Sequence, residues 1–384
     1  MKSDNYKEND IRIIPNKWDI LNFLDCLSSD KFEEKEHLQQ NKYPIKGKYP
    51  IVDQGAALIA GFTNNEELVH NEGLPVVIFG DHTRIFKYVD FPFVLGADGT
   101  KVLKPKEDRM DGKFFYFCLL QLDLPSKGYS RHFKYLKEKQ IICPPLSEQR
   151  TIAAILSKIQ HAIETQEKIV ERAKELKKSL MEKLFTEGLH GEELKETEIG
   201  IIPKSWEVKK LVDIATLQRG KDLPAQNWVK GLFPIIGSNG TIGYHSVYFL
   251  DGAGVVTGRS GSIGKLSYVE GKYWAHNTAL YVKDFHGNQP KFVYYLLHRL
   301  DFQKYVTGVS VPTLNRNFIH PALLPLPSFV EQKEIVSVLD KVALKISISE
   351  TKRNTMKTLF KSMLHKLITG TIRVNNIELQ GIQQ

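Results

Sequence analysis

The 384-residue chain predicts an α+β protein: two globular heads of mixed α/β character, each followed by a long helix, the two helices forming an antiparallel coiled coil. Three observations predict it. A long charged stretch with a regular apolar seam occurs twice, opening at Pro144-Pro145-Leu146-Ser147-Glu148-Gln149-Arg150 and at Pro327-Ser328-Phe329-Val330-Glu331-Gln332-Lys333. Glu148 and Glu331 stand 183 residues apart, and Gln149 with Gln332, Ile152 with Ile335, Leu156 with Leu339, Leu184 with Leu367 and Thr186 with Thr369 keep that offset. A shorter opening recurs as well: Ile14-Pro15 with Trp18, and Ile202-Pro203 with Trp206. A repeat of this length is a duplicated head-plus-helix unit, not a solenoid of short repeats. The expected layout is head 1 over 1–143, helix 144–188, connector 189–200, head 2 over 201–326, a second helix 327–370 and a tail 371–384.

Head 1 carries strand-like apolar runs at Pro50-Ile51-Val52 and Leu74 to Phe79, the latter ending in the polar cluster Gly80-Asp81-His82-Thr83-Arg84. Phe114 to Leu122 is apolar at every position but Gln121, and periodicity leaves strand and helix both open there. Head 2 echoes these landmarks with Pro234-Ile235, Val255 to Gly258, and Tyr294 with Leu297 against Tyr116 with Leu119. The interiors of the heads have otherwise diverged. Matching helices predict one docking surface used twice, and diverged heads predict that each reads something different.

Prolines precede each long stretch, and Ser147 is the candidate N-cap of the first, with Glu148 placed where a helix dipole favours negative charge. Heptads counted from Ile152 give Ile152, Ile159, Gln166, Ala173 and Leu180, with a companion row of Ile155, Ala162, Ile169, Leu176 and Leu184. The second copy gives Ile335, Val342, Ser349, Met356 and Met363, with Leu339, Ile346, Arg353, Phe360 and Leu367. Five heptads predict a coiled-coil seam, with Ile152, Ile159, Gln166, Ile335, Val342 and Ser349 as pairing residues. Forty helical residues span about 60 Å. If the helices pair antiparallel about their midpoints, the polar Gln166 and Ser349 meet, where they would set register.

Net charge is +9, which fits a polyanionic partner. No run of 18 apolar residues occurs and Met1 to Asp10 is polar, so a soluble, cytoplasmic protein with no membrane partner is expected. Cys26, Cys118 and Cys143 are widely spaced and form no CxxC, which predicts buried apolar thiols in place of disulfides or a zinc site.

Catalytic patterns are absent from the sequence. Gly258-Arg259-Ser260-Gly261-Ser262-Ile263-Gly264-Lys265 resembles a phosphate loop, yet five residues separate Gly258 from Gly264 and Leu266 stands where Ser or Thr would hold magnesium. The Ser262 and Gly264 N–H groups remain candidates to face a phosphate, and a tight turn touching a DNA backbone is the favoured reading. None of the 12 histidines sits in an HExxH or a His-x-Glu with CxxC pattern. A binding protein is therefore favoured, with no catalytic residues and no metal site. Basic, amide and hydroxyl groups on glycine-rich loops are the candidates for DNA contact: His82, Thr83, Arg84, Arg131, His132 and Lys134 in head 1, and Ser238, Asn239, Arg259, Ser260, Asn277, Asn315 and Arg316 in head 2. Two rival readings are a coiled-coil scaffold with protein-binding heads, and a self-sufficient nuclease or methyltransferase.

Taken together, the two Ile-Pro-x-x-Trp openings, the two Glu-Gln boxes, and the helix ends Lys183-Leu184-Phe185-Thr186 and Lys366-Leu367-Ile368-Thr369-Gly370 resemble the specificity subunit of a type I restriction–modification system. The resemblance covers nearly the whole chain. Head 1 departs more, with Val52-Asp53-Gln54-Gly55 against Ile236 to Gly240, and Gly80-Asp81-His82-Thr83 against Gly258-Arg259-Ser260-Gly261. It implies that each head reads one half of a split double-stranded DNA site, while the helices set the gap and dock two modification subunits and the restriction subunits. It also implies that this chain binds no cofactor, and that the assembled complex uses S-adenosylmethionine, ATP and Mg.

Overall fold

The structure, a computed structural model, describes residues 6–9, 12–30, 32, 35–96, 99–125, 128, 130–308 and 312–374. Its α-helices among the described residues are α1 (Gly112–Gln121), α2 (Phe133–Lys137), α3 (Leu146–Leu184), α4 (Leu211–Ile214), α5 (Pro290–Leu297), α6 (Arg316–Ile319) and α7 (Phe329–Ile368). The chain divides into two units: Met1–Glu167 with Thr351–Gln384, and Lys168–Glu350. Each unit thus holds one head, half of α3 and half of α7.

Local chemistry explains the helix starts, with one correction. Ser147 lies inside α3, whose first turn closes on the Pro145 carbonyl through the Glu148 and Gln149 N–H groups at 2.9 and 3.0 Å. Ser147 therefore does not cap. In the second copy Ser328 does, its Oγ accepting the Glu331 N–H at 3.3 Å. The open segment is helical from Phe114 to Gln121, within α1, because Asp111 caps it: its carboxylate accepts the Lys113 and Phe114 N–H groups at 3.1 and 2.9 Å. The segment expected as a plain connector supplies a strand, Leu194–Thr197, paired in a hairpin with Gly200–Pro203.

The seam needs a second correction. In α7 the inward residues run Ile335, Leu339, Val342, Ile346, Ser349, Arg353, Met356, Phe360, Met363 and Leu367, as the heptads predict. In α3 they run Ile152, Leu156, Ile159, Ile163, Gln166, Val170, Ala173, Lys177, Leu180 and Leu184. From Leu156 to Lys177 the companion row of α3 is therefore shifted by one residue, with Leu184 keeping its expected place, and Ile169 and Leu176 are exposed (42 and 58%). Either order of three- and four-residue steps keeps the 3.5-residue repeat, so packing makes the choice, and in α3 it selects the step of four from Ile152. Gln166 and Ser349 are both buried.

In unit 1 the halves of α3 and α7 run antiparallel: Glu167 pairs with Lys357 and Glu148 with Arg373. Ile152, Leu156, Leu364 and Leu367 join Trp18, Phe79, Phe114 and Phe117 in one core. Head 1 adds a three-stranded antiparallel sheet centred on Val76–Gly80 and a four-stranded sheet in which Tyr49–Val52 pairs parallel with Phe93–Leu95. The three cysteines are free and buried, and burial pushes the Cys26 thiol up to about 12.

Unit 2 repeats the plan. Lys174 pairs with Glu350, and the Leu189 N–H reaches Glu331, so the helix halves again run antiparallel. Val255, Leu280, Phe292, Leu296, Ile335 and Leu339 share a core with Trp206. Its sheets are four strands centred on Gly254–Gly258 and Ala279–Asp284, and three strands in which Phe233–Gly237 pairs parallel with Trp274–Ala275.

The duplicated motifs find their physical purpose here. Trp18 Nε1 donates to Glu148 at 2.8 Å, and Trp206 Nε1 donates to Glu331 at 2.8 Å, with both tryptophans fully buried. Gln149 accepts the N–H of Asp111, the cap of α1, at 2.8 Å, and its amide donates to the Pro144 carbonyl at 2.8 Å. Gln332 accepts the N–H of Gln289, the cap of α5, at 3.0 Å, and donates to the Pro327 carbonyl at 3.1 Å. Each Glu-Gln box thus fastens a head to the start of its helix by satisfying donors that burial would otherwise orphan. The same pocket receives the end of the other helix. Gly370 (φ +71°) lies against Pro15 and Trp18, and Gly188 (φ +69°) against Glu331, Pro203 and Trp206; a Cβ would meet Pro15 at 2.7 Å in the first and the Glu331 carboxylate at 2.9 Å in the second.

Candidate nucleic-acid interface

In unit 2 the candidate residues come together at one end of the sheets. Ser238 and Asn239 form the turn between strands Phe233–Gly237 and Gly240–His245, Arg259 and Ser260 follow strand Gly254–Gly258, Asn277 precedes Ala279–Asp284, and Asn315 and Arg316 open α6. Thr278 ties them: its carbonyl accepts the Arg259 and Ser260 N–H groups at 2.9 and 3.2 Å, and its hydroxyl accepts the Ser238 N–H at 3.3 Å. The Leu314 N–H donates to the Arg259 carbonyl at 2.8 Å, which carries Asn315 and Arg316 to the same place.

The glycine-rich loop is a closed turn. Its Gly258 N–H donates to the Lys265 carbonyl at 3.0 Å, and its Gly264 N–H donates to the Gly258 carbonyl at 3.1 Å. A Cβ on Gly258 would lie 2.0 Å from the Ser262 carbonyl oxygen. Those two amides are spent internally and do not point at a phosphate. Lys265 Nζ donates to the Asn239 carboxamide oxygen at 2.6 Å, joining this turn to the neighbouring one.

Two candidates are partly engaged. The Asn315 amide oxygen caps α6 by accepting the Asn317 N–H at 3.0 Å, and the Asn277 amide donates to Asp222. Two further residues belong to the site and escaped the sequence reading: Gln218 and Arg219, at the end of strand Thr216–Arg219. They line one cavity of about 640 Å³ with Arg259, Asn315 and Arg316. The only sequence signal for them is an arginine directly before Gly220, where the backbone passes the His276 carbonyl too closely for a Cβ. Burial, then the nearby Arg219 charge, holds the Arg259 pKa below its usual value.

Unit 1 builds its equivalent around Asp81. The Asp81 carbonyl accepts the His132 N–H at 2.9 Å, its carboxylate accepts the Phe133 N–H at 2.7 Å, and His132 Nδ1 lies 2.9 Å from the same carbonyl. His132 is only 1% exposed, so its ring is a packing element of this turn. Thr83 donates to the Gln54 carbonyl at 2.6 Å, and Arg84 donates to the Leu124 carbonyl at 3.0 Å. Arg131 and Lys134 are exposed beside it, and His82 is half-buried. Among the described residues no group of three or more His, Cys, Asp or Glu side chains gathers as a metal site would require.

The model for the type I restriction modification DNA specificity domain matches residues 19–175 and again 203–358. The chain belongs to that family. The two matches fall on the two copies of the head-plus-helix unit. The chain is 26% identical over 419 residues to the type I restriction enzyme MjaVIII specificity subunit of Methanocaldococcus jannaschii, covering 98% of both. It is 24% identical to the putative MjaX specificity subunit of the same organism, over 97% of this chain and 98% of that one. Among solved structures, it resembles the S subunit of a type I restriction-modification system from M. genitalium with a TM-score of 0.67 and 18% identity, covering 94% of this chain and 97% of the other. A chain from a study of type I restriction-modification complex assembly aligns with a TM-score of 0.54 and 14% identity, over 94% and 99%. These likenesses establish the fold of the family specificity domain, present twice.

Proposed function

We propose that this chain is the DNA-specificity subunit of a type I restriction–modification complex, reading a split double-stranded site with one head per half. The observation that carries the reading is the pairing of two matched family domains with two different loop clusters: an arginine-rich one in unit 2 and a histidine-, threonine- and aspartate-based one in unit 1. Equivalent scaffolds with different side chains are what two different half-sites require. The relatives' names, as specificity subunits of restriction enzymes, support the same assignment.

The long helices supply the rest. Pairing along their full length as an antiparallel coiled coil would hold the heads at a fixed gap, and a span of about 60 Å reaches at most about 18 base pairs at 3.4 Å each. Ile169, Leu176, Leu344 and Ile348 are exposed on the unit 2 portions of these helices and offer an apolar surface to further subunits. Modification subunits, two per chain, and restriction subunits are the proposed partners. Catalysis on adenine and ATP-driven cleavage belong to them, so S-adenosylmethionine, ATP and Mg are bound elsewhere in the complex, and this chain is not itself an enzyme. No described helix is long and apolar enough to cross a membrane, and we place the complex in the cytoplasm with its DNA.

The test is co-expression with a modification subunit followed by methylome mapping. A split adenine-methylated motif of fixed gap is expected. Exchanging residues 1–143 for another head should alter one half only. A stable complex that adds no methylation anywhere would instead favour a scaffold with protein-binding heads.

A further inference from the structure

In unit 2, Arg219, Arg259 and Arg316 line one cavity together with Gln218, Thr313 and Asn315. Among the described residues no carboxylate lines it, and none of the three arginines forms an ion pair. Gathering like charges without a counter-charge opposes folding, so such a cluster marks a place shaped for a ligand rich in acceptor atoms. The three cations are not equivalent. Arg219 and Arg316 are exposed at the rim, one at a strand end and one on the four-residue α6. Arg259 is half-buried in the wall, and its backbone is held on both sides, by Thr278 at 2.9 Å and by Leu314 at 2.8 Å. A guanidinium on a fixed backbone is suited to the bidentate contact that reads O6 and N7 of guanine in the major groove. Rim cations suit phosphates, which position DNA without reading it.

Unit 1 shows that this position is a choice made by the individual head. Asp81 follows Gly80 as Arg259 follows Gly258, and each carbonyl accepts the N–H of the segment that leads to the last short helix of its head. At the same point in the scaffold one head has a carboxylate turned inward onto the Phe133 N–H, and the other a guanidinium lining a cavity.

We propose that Arg259 is the guanine-reading residue of unit 2, with Arg219 and Arg316 holding the adjacent phosphates. This rests on the DNA-specificity reading above. Arg259→Lys keeps the charge but removes the two-pronged donor set. In the co-expressed complex, motif mapping should show one specified guanine of one half-site becoming degenerate, with discrimination there falling roughly 5- to 160-fold, the range that one bidentate base contact supports. The other half-site and the gap should not change. Arg316→Ala should slow methylation at all sites alike and leave the motif intact, with a shallower salt dependence of binding. An unchanged motif in both Arg259→Lys and Arg259→Ala would overturn the proposal. So would a uniform loss across sequences, which would make Arg259 a phosphate contact, or failure of Arg259→Lys to assemble, which would make it structural. A wild-type complex without any split motif would overturn the specificity reading itself.

Discussion

Glu148 shows how much one buried side chain can fasten. It accepts Trp18 Nε1 at 2.8 Å and a two-point contact from Arg373 at 2.8 and 3.1 Å, joining the head 1 opening, the start of α3 and the segment after α7. Glu331 does the same work in unit 2 with Trp206 and the Leu189 N–H. Removing either carboxylate leaves buried donors without partners, which costs about 1–3 kcal/mol per group. Glu148→Ala is therefore expected to destabilise unit 1 by roughly 2–3 kcal/mol, the partial exposure of Arg373 limiting the loss. Glu331→Ala should weaken unit 2 instead, and hydrogen exchange resolved by segment would show which head opens. His320 adds a pH dependence to unit 2. Burial first, then Arg316, lowers its pKa below 6.5, and its Nε2 accepts the Leu217 N–H at 3.0 Å, a contact that protonation removes. A depressed histidine pKa means that the unfolded chain binds the proton more readily. The contribution is present above pH 6.5 and is lost as pH falls through the lower folded value. Thermal melts of wild type should show unit 2 weakening on acidification, and His320→Gln should flatten that slope.

Among the elements, the register of α3 is the sharpest result. Both copies bury a row at steps of four and three, and the row in α3 includes Leu156 and Ile163 rather than Ile155 and Ala162. The 183-residue offset already held the clue, because Leu156 aligns with Leu339, which the second copy places inside. Apolar residues on adjacent positions made both rows look plausible to a periodicity count, and only packing chooses between them. Ile163→Ala should therefore cost about 2–5 kcal/mol as a core truncation. Leu176→Ala, on the exposed side, should stay within about 0.5 kcal/mol. Equal losses in denaturant melts of the isolated chain would refute this register.

Viewed as a whole, the molecule does not divide where its sequence repeat divides. Unit 1 takes Thr351–Gln384 from the far end of the chain, and Leu364, Leu367 and Ile368 lie in its core. Removing residues 351–384 should accordingly open unit 1, although its own head is intact, and leave unit 2 protected. Limited proteolysis would decide it. Cleavage spreading first through head 2 would contradict the assignment of that segment to unit 1.

The duplication, the two long helices, the mixed heads and the family resemblance were all legible in the sequence, because repeats and heptads are local patterns that survive in one dimension. So were most of the loop clusters in unit 2, since glycine-rich turns announce themselves by residue type. The tertiary structure alone decided why the Glu-Gln boxes exist, since Trp18 and Glu148 are 130 residues apart and Glu148 and Arg373 are 225 apart. It alone placed Gln218 and Arg219 beside Arg259 and buried His132 behind Asp81. Contacts between distant segments depend on which faces pack together, and that information resides in no single stretch of chain.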